Sequence, residues 1–161
     1  MTASLWAWSN AVYAAPGVAD ACLLLQDRFG IDVNLMLWAA WRHAQGAPLD
    51  AAAARDGKDA IRMINAELVL PLRTVRRAAR SHRAEALYAA VKAAELAAER
   101  TVQERLAALP IRPAAGETGL AAAARASGGD PSAPGLAAAL ATLARALAPV
   151  AQPALASPAQ V

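Results

Sequence analysis

The sequence predicts an all-α protein: a compact bundle of about five to six helices, then a flexible linker and one C-terminal amphipathic helix. Three observations carry that expectation. Apolar side chains recur every three to four positions from Leu5 to Leu109, the period of one helix face. Alanine makes up much of the 57% apolar content, and it favours helix because it loses no side-chain entropy there. Start and stop residues also stand where short helices need them.

The elements follow in order. Ser4 suits an N-cap, with Leu5, Trp8 and Val12 on one side of a first helix that ends at Ala15-Pro16-Gly17. Pro16 is placed in the first turn of a second helix, where its missing N–H costs nothing. Val18, Cys22, Leu25 and Phe29 line that helix and Gly30 stops it. Asp32 caps a third helix from Val33 to about Gln45, closed by Gly46. Leu35, Met36, Leu37, Trp38 and Trp41 make it apolar nearly all round, which places it mid-bundle.

Pro48 opens a short alanine-rich helix ending near Gly57. A longer stretch from Lys58 carries Ile61, Ile64, Leu68 and Leu72 on one face, and Pro71 should kink or split it near Val69. The longest helix is expected from about Ala84 to Leu109, with a heptad-like stripe through Leu87, Val91, Ala94, Ala98, Val102, Arg105 and Leu109. The organisation expected is a bundle over 1–109, a Pro/Gly/Ala-rich linker over 110–131, a helix over 132–148 and a disordered tail over 149–161. Leu136, Leu140, Leu143 and Leu147 give the C-terminal helix a single apolar stripe.

Composition excludes several functional classes. Cys22, the single cysteine, lies in an apolar run and reads as a small buried hydrophobe. His43 and His82 lack a second ligand at metal spacing, so no metal and no cofactor is expected. No segment has the roughly 18 uncharged apolar residues of a membrane span. Residues 1–10 lack the basic start of a secretory signal, and a cytoplasmic location is expected. No nucleotide-binding glycine motif, nucleophile elbow or catalytic triad is present, so no catalytic residue is assigned.

Charge is distributed unevenly. Residues 1–56 carry three Arg and five Asp, a net of −2. Residues 57–83 carry seven basic residues against Asp59 and Glu67, a net of +5. Arg outnumbers Lys fourteen to two, which points to a GC-rich coding sequence and inflates the basic count.

Three constellations remain as candidates. Asp27, Asp32 and Asn34 form an acidic corner between the second and third helices. They suit capping and ion pairing, or else metal binding or acid/base chemistry. Arg73, Arg76, Arg77, Arg80 and Arg83, with His82 among them, trace a helical stripe with no acid between Glu67 and Glu85. They suit internal pairing, or phosphates of a polyanion or nucleic acid. Trp6, Trp8, Trp38, Trp41 and Tyr13 suit core packing, with one exposed Trp able to anchor a partner.

The blocks Trp8-Ser9 through Tyr13, Pro16-Gly17-Val18, Leu25-Gln26-Asp27, Gly30 and Asp32-Val33-Asn34 carry a resemblance. With Pro71-Leu72-Arg73, Arg76-Arg77 and the stretch from Tyr88 to Glu95, the chain resembles a family of proteobacterial conserved hypothetical proteins, a domain-of-unknown-function group. The likeness covers about residues 5–105. It departs at Ile61 to Leu68, where relatives tend to carry a Trp. The resemblance implies an all-helical domain and supplies no activity. Its two strongest blocks have opposite charge, so they are expected to meet, with Arg73 reaching Asp27 or Asp32.

The leading functional expectation is a non-enzymatic protein-interaction or adaptor module, with a protein partner or self-association through the long helix or the leucine-striped one. The alternative is an anion or nucleic-acid binder using the Arg73–Arg83 stripe. The third is an enzyme or metal binder using the Asp27/Asp32/Asn34 corner.

Overall fold

The apolar third helix acts as the axis on which the others pack. The computed structural model describes residues 3–112, 114–116 and 119–151, and among these the chain forms eight α-helices, one π-helical turn and no strand. Helices α1 (Leu5–Tyr13), α2 (Val18–Phe29) and α3 (Val33–Ala44) follow in quick succession. Pro16 falls in the turn before α2 and not in its first turn; Gly17 stands at the N-cap and the helix begins at Val18. Ser4 and Asp32 act as the N-caps expected, accepting from the amides of Ala7 and Leu35.

Helix α4 (Ala51–Ile64) runs straight through Gly57. The glycine is there for approach and not as a stop: a Cβ on it would lie 2.3 Å from Cζ3 of Trp38. The interruption comes later, as a π turn over Asn65–Val69, and α5 (Leu70–Ser81) continues from it. Pro71 is the physical cause. It has no N–H, and in an unbroken α-helix its ring would press on the carbonyl of Glu67. Widening the preceding turn, so that the Leu70 amide reaches back to the Asn65 carbonyl, relieves that clash without ending the rod. The kink or split anticipated near Val69 is therefore a π turn ending there.

Helix α6 (Glu85–Ala107) packs back along α5 and crosses α1, α3 and α4. Of its stripe only Ala98 and Val102 are buried, with Leu106 beside them taking the place of Arg105, whereas Leu87 is half exposed.

The segment read as a linker carries helix α7 (Gly119–Ala126), packed on α3 and α4. Ala122, Ala123 and Ala124 are fully buried, because side chains this small let helix backbones approach closely. Its lead-in is pinned as well: Ala115 N–H donates to Asp50 at 3.1 Å, Gly119 N–H to the Leu49 carbonyl at 2.8 Å, and Arg112 pairs with Asp56 at 2.8 Å.

Helix α8 (Pro134–Ala151) buries Leu136, Leu140, Leu143 and Leu147 against α2, α3 and α7. The leucine stripe is thus spent inside the bundle and is not a free surface for a partner. Of the tail expected over 149–161, residues beyond 151 lie outside the described residues.

Cys22 is fully buried, and Trp38 is the largest buried side chain. Trp6, Trp8 and Trp41 are half-buried, with the Trp41 indole donating to the Ala3 carbonyl. No helix among the described residues is long and apolar enough to cross a membrane.

Candidate functional site

A cleft of about 400 Å³ opens where the α2–α3 corner faces the α4–α5 rod. One wall is Gln26, Asp27, Gly30, Ile31, Asp32, Val33 and Asn34, and the other is Lys58, Asn65, Val69, Leu70, Arg73 and Arg77. The π turn sets the second wall. Lys58 and Asn65 are seven apart on one face of α4, and an unbroken helix would continue that face through residues 69, 72 and 76. One extra residue in the turn rotates the following face by about 100°. Leu70, Arg73 and Arg77 then come round to the cleft.

The first wall is stiffened from behind by the C-terminal segment. Ser127 Oγ accepts from the Asp32 backbone N–H at 3.3 Å. Ile31 Cδ1 lies so close to Gly129 that a Cβ there would stand 2.8 Å from it.

Of the acidic-corner and arginine-stripe residues singled out from the sequence, Asp27, Asp32, Asn34, Arg73 and Arg77 meet here. Asp32 is saturated: Oδ1 caps α3 through Leu35 N–H at 3.2 Å, and Oδ2 accepts from Asn65 Nδ2 at 2.7 Å with Lys58 Nζ at 3.6 Å. Asp27, more than half exposed, takes a 3.4 Å bond from Arg77 and one from Gln26. Asn34 accepts from Gln103 Nε2 on α6 at 2.9 Å, while Gln103 Oε1 is buried without a partner.

The opposite-charge blocks do meet, but through Arg77 and not through Arg73. Arg73 donates from Nε to Glu95 at 3.1 Å and from Nη2 to Glu99 at 3.0 Å, two acids one turn apart on α6. Arg76 also binds Glu95, through Nε to Oε2, and turns away from the cleft. Arg80 is exposed, takes no ion pair among the described residues and does not line the cleft.

Burial would push the Glu95 carboxyl up, but hydrogen bonds from Arg76 and Arg73, and their charges, outweigh it and hold the acid below its ordinary range. Glu99 goes the other way: burial raises it, only partly offset by Arg73. The Tyr13 phenol is pushed up to about 12 by burial first, then by Cys22 and Glu99.

Lys58, Asn65, Glu95, Glu99 and Gln103 are the residues that sequence reasoning missed. Asn65 had a signal, as a poor helix former six residues ahead of a helix-interior proline. Glu95 and Glu99 had one too, since acids four apart on a long helix present a paired site to a neighbouring arginine. No group of three His, Cys, Asp or Glu residues placed to hold a metal ion occurs among the described residues.

All of the cleft residues lie between positions 26 and 77, well inside the span of the family likeness. No curated protein and no solved structure matches the chain. The family profile described as "Protein of unknown function (DUF2390)" matches residues 4–106, from the cap of α1 to the end of α6, and the chain belongs to that family.

Proposed function

We propose that the protein is a non-enzymatic binding module and that a segment of a partner protein seats in the cleft between the α2–α3 corner and the π turn. The observation that carries this reading is the make-up of the cleft. Its volume lies in the usual range of ligand sites, and the apolar side chains of Val33 and Leu70 stand beside hydrogen-bonding groups with unused capacity, over buried Ile31 and Val69. Acid/base chemistry or a metal at the acidic corner draws less support, because both oxygens of Asp32 are already committed to the cap, Asn65 and Lys58. A polyanion along the arginine stripe draws less support too. Arg73 and Arg76 are bound to Glu95 and Glu99, and Arg77 faces the cleft beside Asp27, which leaves Arg80 and Arg83 outside it.

Site-specific photo-crosslinking in the native cell tests the reading. A photoreactive phenylalanine at Leu70, on the cleft, is compared with one at Met63, equally exposed on the same rod but outside the cleft. A protein adduct from position 70, missing from position 63 and abolished by Lys58→Glu, supports it. Equal labelling from both positions, or none from position 70, overturns it.

A further inference from the structure

We infer that the group this cleft recognises is a carboxylate carried on an apolar residue, held by the N-terminus of α3, the Asn34 amide, Lys58 and Arg77. The inference rests on the proposal that the cleft is a binding site, and names what it binds.

The first support is the helix end. In the first turn of α3, the Leu35 amide is taken by the Asp32 side chain and the Met36 amide by the Asp32 carbonyl, while the amides of Val33 and Asn34 make no hydrogen bond among the described residues. Both residues line the cleft. Uncapped amides at a helix N-terminus, with the positive end of its dipole, favour an anion.

The second support is independent of the helix end. Asn34 is only 8% exposed, and its carbonyl oxygen is taken by Gln103, yet its NH₂ has no partner and the residue faces the cleft. That donor is reachable from the cleft, where an acceptor from outside can take it.

The facing wall adds cations with spare capacity. Lys58 Nζ stands 3.6 Å from Asp32, beyond hydrogen-bond reach, and Arg77 commits one long 3.4 Å contact to Asp27. Donors of Asn34, Lys58 and Arg77 line both walls, which suits an acceptor-rich ligand. The fixed carboxylates of Asp27 and Asp32 oppose a second full negative charge, so a monoanion fits better than a phosphate dianion. Val33 and the half-exposed Leu70 then take the apolar part.

Two sources share this chemistry, the C-terminus of a partner protein and a free short-chain carboxylic acid. Calorimetry on the full chain separates them with three probes: acetyl-Ala-Leu with a free carboxylate, its C-terminal amide, and 4-methylpentanoate. The acid peptide should bind at least about tenfold more tightly than the amide. Asn34→Asp should weaken it by a similar factor. That variant still accepts from Gln103 and still suits a helix N-terminus, so it keeps the fold while setting a negative charge against the ligand. Lys58→Met should act in the same direction.

Equal binding of 4-methylpentanoate assigns the site to free acids, and binding of the acid peptide alone assigns it to a protein C-terminus. Equal affinity for acid and amide, no binding of any probe up to about 10 mM, or an unaffected Asn34→Asp variant overturns the carboxylate assignment. If that happens while the Leu70 adduct persists, the protein-binding reading stands without it. If 4-methylpentanoate binds and no adduct forms at position 70, the carboxylate site stands and the protein partner falls.

Discussion

Helices α3 and α5 are each twelve residues long, yet they are held by opposite means. Eight residues of α3 are buried, with Leu35, Met36 and Trp38 shut away from water, whereas α5 buries Ala79 alone. What fastens α5 to α6 is a chain of charges, Arg73 and Arg76 gripping Glu95, with Glu99 beneath Arg73. Apolar burial is non-directional and tolerates small shifts. A bidentate arginine–carboxylate contact fixes register and angle. The cleft sits on the seam between the two regimes, with one wall rooted in the apolar core and the other positioned by the ionic lock.

The comparison is broken most severely from the α3 side. Trp38→Ala removes the largest buried side chain and should cost about 3–5 kcal/mol, measured by denaturant unfolding. All helices should lose protection together, because α3 touches α1, α2, α4, α6, α7 and α8. Loss confined to α5 and α6 would contradict the view of α3 as the shared axis.

A cut on the other side should be smaller and local. Glu95→Gln takes away the acid that both arginines share, and a charged hydrogen-bonded contact is worth about 2 kcal/mol. Hydrogen exchange should accelerate in α5 and the first half of α6 while α3 and α7 stay protected. Uniform acceleration would show that the hairpin and the core unfold as one unit.

Acid sharpens the same contrast, because the two glutamates respond with opposite sign. Glu95 is held below its ordinary value of 4.5, so its contribution is complete above that pH and is lost as pH falls through its depressed folded value. Glu99 is raised above 4.5, so protonating it in the folded state adds stability as pH falls from neutral towards that value. Relative to the wild type, Glu99→Gln should therefore lose the gain above pH 4.5, and Glu95→Gln should lose the steep decline below it. Unfolding midpoints from pH 7 to pH 3 for the three proteins check both signs.

Much of the α3 side was legible in the sequence, and much of the α5 side was not. The periodicity of Leu35, Met36 and Trp38 and the cap at Asp32 describe a local helix and its buried face, and local patterns are what a sequence displays. The corner of Asp27, Asp32 and Asn34 was visible for the same reason, since its residues are neighbours in the chain. Partner choice is not local. Arg73 had acids at Asp27 and Asp32 to choose from, and although the π turn brings it to the cleft wall, its guanidinium reaches Glu95 and Glu99 on α6. Gly57 looked like a helix stop because its reason for being glycine, Trp38, is nineteen positions away. The segment around Ala122–Ala124 looked like linker because alanine runs between glycines carry no amphipathic stripe, although small size is what seats them against α3 and α4.

The smallest stability effect belongs to the more exposed of the two ion pairs that join the cleft walls, Arg77–Asp27 rather than Lys58–Asp32. Arg77 and Asp27 are both mostly exposed at 3.4 Å, and such pairs are worth less than about 0.5 kcal/mol. Arg77→Gln should leave the unfolding midpoint and the exchange pattern of α5 as they are, in contrast to Glu95→Gln on the same hairpin. It should nonetheless weaken binding of the acid peptide, because the guanidinium faces the ligand space more than it secures the fold. A variant that lowers stability as much as Glu95→Gln would make Arg77 part of the ionic lock, and the seam between the two regimes would then run along α2 rather than through the cleft.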